Sequence, residues 1–247
     1  MKRWQLIAFG FAVYALALLL SAPATLIDAS LAQASAGRLR LAEARGTLWS
    51  GSGQIEIRDA SARGAIAQSV AWRLRPAYLL LAKLRYELAL ARAPRYFPLT
   101  ISPARIELGD ADVDLPAAAL GVAVPKLAPL ELTGELQLHV ARLTLGRASV
   151  QGNATLLWRG AGSAFTRVSP LGDYELRLEG DGSLVKATLR TLQGPLQLDG
   201  QGSWSAGRNP EFHGEARVAP QQMQQLAPLL RMIAIERGEG RFELLLK

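Results

Sequence analysis

The sequence predicts a mainly β protein: one N-terminal transmembrane helix, then a curved antiparallel β-sheet domain with a few short helices. Three observations predict it. Polar and apolar residues alternate with period two in run after run along the chain. Glycine-rich clusters punctuate those runs. Helical periodicity is scarce after a single long apolar stretch at the start.

That stretch comes first. Lys2 and Arg3 precede an uncharged run from Trp4 to Ile27, whose centre, Leu6–Leu20, is almost purely apolar. As one helix it would rise about 36 Å, against a hydrocarbon core about 30 Å thick. Basic residues at its start only place the N-terminus in the cytoplasm and Asp28 onward across the membrane. Arg38, Arg40 and Arg45 do not oppose this, because long domains translocate largely regardless of charge. A cleaved signal peptide is the competing account, with Ala22-Pro23-Ala24 as its small-residue site. The apolar run exceeds the roughly 7–15 residues usual for a signal core, so an uncleaved anchor over residues 1–27 is expected.

Residues 28–45 read as a juxtamembrane helix and linker. Leu26–Ala36 can continue as helix, with Gly37 suited to the position just past its end. A first sheet segment, 46–120, holds the alternating runs Gln54–Arg58 and Leu84–Leu90. Pro116–Leu120 reads as a short helix with proline in its first turn. Residues 121–130, with Pro125 and Pro129, form a connector. A second sheet segment, 131–247, holds Leu132–Val140, Tyr174–Glu179, Leu196–Asp199 and a final strand carrying Phe242, Leu244 and Leu246. Gln221–Met232 is a second helix candidate that Pro228 would end or kink. Strands ending in Trp158 and Trp204 give a faint internal repeat.

Composition limits function. At 49% hydrophobic and 20% charged the chain can bury a core and is no disordered tail. Cysteine is absent, so no disulfide forms. The formal net charge of +7 suggests an anionic partner. The arginines recur singly, however, and do not interleave with aromatics as a single-strand stacking groove requires, which argues against nucleic acid. Catalytic constellations are missing. His139 and His213 are distant and without cysteine cannot make a tetrahedral zinc site. Asp110, Asp112 and Asp114 share a strand face but lack the glycine and glutamate of a calcium loop, so a solvated face is expected. No phosphate loop, nucleophile elbow or dinucleotide fingerprint occurs. The expectation is a non-enzyme without metal or cofactor.

One motif is distinctive. Gly46-Thr47-Leu48-Trp49-Ser50-Gly51-Ser52-Gly53 is followed by Ala71-Trp72-Arg73-Leu74-Arg75-Pro76. Further on come Pro170–Tyr174, the run Gly194-Pro195-Leu196 to Trp204, Gln225–Leu230 and a final strand. Order and spacing over nearly the whole chain resemble type II secretion system protein N, of the general secretion pathway. Gly-Thr-Leu-Trp alone also occurs in AsmA-like envelope proteins. The resemblance implies a single-pass inner-membrane protein with a periplasmic β-rich domain, whose partners are other components of a machine exporting folded proteins. It carries no catalytic residues over. Read physically, Gly46 and Gly51 flank a short apolar strand, Thr47–Trp49, and Trp49 and Trp72 are expected in the core.

Three function classes compete: an assembly component, an AsmA-like carrier holding lipid or an extended segment in an apolar groove, and an envelope enzyme. The first is expected. Its partner surface is expected along the final strand, Arg241, Phe242, Leu244 and Leu246, as an exposed edge open to strand addition. The bilayer is the partner of residues 4–27.

Overall fold

The computed structural model describes residues 3–35, 37, 39–58, 65–91, 95–205, 211–231, 234–238 and 240–246. The alternating runs are strands, and the chain is mainly β. It divides into two compact units, Met1–Arg75 with Tyr86–Ala91, and Pro76–Arg85 with Arg92–Lys247.

The first unit begins with α1 (Arg3–Leu20) and α2 (Thr25–Ala34). The expected single span to Ile27 is broken. Proline at 23 lacks an amide to bond back and forces its predecessor out of helical geometry. α1 therefore has 18 residues, which rise about 27 Å. Among the described residues, no helix is long and apolar enough to cross a membrane. Strands β1 (Leu39–Gly46), β2 (Ser50–Arg58), β3 (Ala65–Leu74) and β4 (Leu84–Leu90) follow as antiparallel neighbours in chain order. Residues 39–45, expected in a linker, are strand: Leu41 is buried, and Ala44, beyond a bulge after Ala42, packs on the same core. That core joins Ala24, Leu41, Val70 and Trp72, with Ile27 and Leu31 of α2 packed on it.

The second unit carries β5 (Phe97–Ile101), β6 (Arg105–Pro116), β7 (Leu132–Gly146), β8 (Val150–Ser163), β9 (Gly172–Gly182), β10 (Leu184–Gln193), β11 (Leu196–Ser205), β12 (Glu211–Val218), β13 (Ile235–Gly238) and β14 (Arg241–Leu246). From β5 to β12 each strand pairs antiparallel with the next. β14 then pairs with β12, and β13 lies outermost. Register divides the faces. Val113, Leu138, Leu156, Leu176 and Leu189 fall in one row, while Asp112, His139, Thr155, Arg177 and Thr188 fall in the row behind it.

Residues 121–130 do not separate one sheet from another. β6 pairs directly with β7, from Arg105–Gly146 to Pro116–Glu135. Between these strands α3 (Ala119–Ala123) and a 3-10 turn (Pro125–Leu130) fold aside, and Leu130 joins the core. Pro116 ends β6 rather than opening a helix, since its fixed φ is tolerated at a strand terminus. α4 (Met223–Leu230) contains Pro228 and stops two residues later. Its Leu226, Leu229 and Leu230 pack against Leu196, Ala216, Val218 and Phe242, the main core of this unit.

Candidate functional site

The Gly46–Gly51 motif is a turn, not the expected strand. It joins β1 to β2 and bonds the helices to the sheet. Leu48 donates its amide to the Ala22 carbonyl at 2.8 Å, and Ala24 donates to the Gly46 carbonyl at 3.2 Å. Pro23 bridges Thr47 in antiparallel fashion. Thr47 donates to the Ser50 carbonyl at 2.9 Å, and Leu74 at the end of β3 donates to the Trp49 carbonyl at 2.6 Å. The Trp72 ring closes the knot, its Nε1 donating to the Thr47 carbonyl at 3.0 Å. Two glycines are required here. Gly46 has φ +93°, and a side chain on Gly51 would come within 2.5 Å of Trp72 Cζ2. Trp72 is buried as expected, whereas Trp49 is only half-buried because its turn lies at the surface.

Asp28 of α2 completes the junction. Its carboxylate accepts from Arg40 Nε at 2.9 Å and Nη2 at 2.8 Å, and from the Leu41 amide at 2.8 Å. The same carboxylate raises the Arg40 guanidinium further above its ordinary range. β1 is the outermost strand of this unit, so Asp28 satisfies an edge amide that would otherwise face solvent. The sequence reading missed this pair. An acid twelve residues before an arginine is no local pattern.

The remaining motif residues do not join this cluster. Pro76 opens a 3-10 turn, Pro76–Leu81. Gly194 and Pro195 form the turn from β10 to β11, and Trp204 stands half-buried near the far end of β11 opposite Val185. The repeated tryptophan device is instead Trp158, whose Nε1 donates to the Thr133 carbonyl at 3.0 Å across the same 25-residue separation as Trp72 to Thr47.

The polar face is structural in its chemistry. Glu175, 6% exposed, takes Arg190 at 2.8 Å and also Arg177. Hydrogen bonding from Arg190, then Arg177, holds its carboxyl below the usual range despite burial. Asp112 pairs with His139 at 2.6 Å. Asp110 has a backbone φ of +33°, and the β6–β7 register is the same on either side of it. Among the described residues no three acidic or histidine groups converge as a metal site. Tyr174 donates its hydroxyl to the Leu196 carbonyl at 2.9 Å, and burial raises its pKa.

The expected partner edge is corrected. Arg241–Leu246 is not outermost: β13 pairs with its first half, Ile235 facing Glu243 and Gly238 facing Arg241. Phe242 is fully buried, because its place on the apolar face puts it beneath α4. Among the described residues β13 faces Arg241–Glu243, and this outer strand is short and charged.

A family model, "Type II secretion system (T2SS), protein N", matches residues 37–244, from just after α2 to the last strand. No curated protein and no solved structure matches. The match lends nothing to the apolar-groove carrier. It spans the sheet from β1 to all but the last two residues of β14, with Gly46 and Trp72 inside it, so the chain belongs to the type II secretion system protein N family.

Proposed function

We propose that this type II secretion component is held at the inner membrane by its uncharged N-terminal run, exposes its sheet units to the periplasm, and acts by contact rather than catalysis. The family match carries the reading. Anchoring is supported by the uncharged run after Lys2 and Arg3 and by the exposure of Trp4, Ile7, Phe9 and Phe11 along α1. Retention of the N-terminus is supported by the knot. Ala24 is 2% exposed, and cleavage at Ala22–Ala24 would cut through its hydrogen bonds.

The partner is another component of the secretion machine, docking at the C-terminal sheet edge. β1 is closed by Asp28, whereas β13 is the outermost strand at the other end and is exposed along its length. Photocrosslinkers at Ile235, Leu244 and Leu246 in cells should capture an envelope secretion protein, and one at Ser52 in the first unit should not. Equal capture from both positions, or none from the edge, overturns the docking reading. Release of the chain from membranes by alkaline carbonate overturns the anchor.

A further inference from the structure

We infer that the β3–β4 hairpin loop, Arg75–Arg85, is a second membrane-contacting element that seats its leucines in the surface of an anionic bilayer. The loop is Arg-Pro-Ala-Tyr-Leu-Leu-Leu-Ala-Lys-Leu-Arg, with basic residues at both ends and no acidic one. Its 3-10 turn buries no residue at all. Leu79, Leu80 and Leu81 are 42%, 92% and 66% exposed. Three consecutive exposed leucines are a solubility liability unless something covers them.

The charge pattern says what does. Leu80 is at the tip, and Lys83 and Arg85 follow it toward the sheet, the order in which acyl chains and anionic headgroups are met. Tyr78 is already paired for that boundary. Arg85 Nη1 donates to its hydroxyl at 2.7 Å, and the guanidinium carbon lies 4.8 Å from the ring centre. A tyrosine with a basic partner is the usual occupant of the headgroup level.

The inference rests on the anchoring reading for a bilayer near this loop, but its readout is separate.

The native chain has no cysteine, so Leu80→Cys takes a single environment-sensitive dye, with Leu192→Cys, 49% exposed on β10, as the comparison. The full-length labelled chains are placed in phosphatidylcholine vesicles with or without phosphatidylglycerol, carrying nitroxide lipids. The position-80 dye should be quenched several-fold more than the position-192 dye. Lys83→Glu with Arg85→Glu should reduce that difference on phosphatidylglycerol vesicles. Equal quenching at both positions overturns the inference, even for a chain that resists carbonate extraction. So does a disulfide-linked dimer through Leu80→Cys, which would make a second copy the cover. A chain that carbonate extracts but whose position 80 is still quenched keeps the inference and loses the anchor.

Discussion

At the scale of single residues, burial separates two tryptophans that the sequence treats alike. Trp72 sits in the core at 6% exposure with its indole nitrogen satisfied, while Trp49 rests on a surface turn. Trp72→Ala should cost about 3–5 kcal/mol and Trp72→Phe about 1 kcal/mol for the lost hydrogen bond. Trp49→Ala should cost less than Trp72→Ala in the same thermal melts. If the order is reversed, the turn rather than the core holds this unit together. Glu175 gives a pH dependence. Its folded pKa lies below the ordinary value of 4.5, so its stabilisation is complete above that value. It is lost as pH falls through the lower, folded pKa. Acid titration of Glu175→Gln should therefore show a smaller loss of stability below pH 4.5 than the parent. Parallel curves would mean the arginine pair contributes nothing. Neither contrast is visible in the sequence, which places Glu175 on the polar face but cannot show that Arg190 and Arg177 close over it.

At the scale of elements, one carboxylate ties α2 to β1 beside the backbone bonds of the Gly46–Gly51 turn. Asp28→Ala removes the acceptor for Arg40 and for the Leu41 amide together. Hydrogen exchange at Leu41 should then accelerate by an order of magnitude or so, with the β9 and β10 amides unchanged. Uniform acceleration would show that the two units unfold as one. Ala24 is a second check. At 2% exposure it has no room to grow, and Ala24→Leu should cost about 1–3 kcal/mol by overpacking. Pattern reading placed α2 and α4 to within a few residues because proline and glycine punctuate them locally. It misjudged residues 39–45 and 121–130, where the deciding partners are β2 and the β6–β7 pairing.

For the whole molecule, the expected secondary structure is the simplest measurement. Circular dichroism of the full chain in detergent should be strand-dominated and unchanged by a chelator. Unfolding on chelation would reveal a metal requirement that the scattered acidic residues do not explain. The alternation that predicts this is legible because strands such as β10 and β12 have one apolar and one polar face, and a period of two survives in any register.

The sequence by itself determined the strand content, the apolar start and the family likeness, since each depends on residue type and local spacing. Only the tertiary structure decided that Thr47–Trp49 is a turn, that Asp28 closes β1, that β13 lies outside β14, and that Leu79–Leu81 stand uncovered. Those outcomes rest on contacts between residues far apart in the chain, and one chain position carries no record of which distant neighbour will satisfy it.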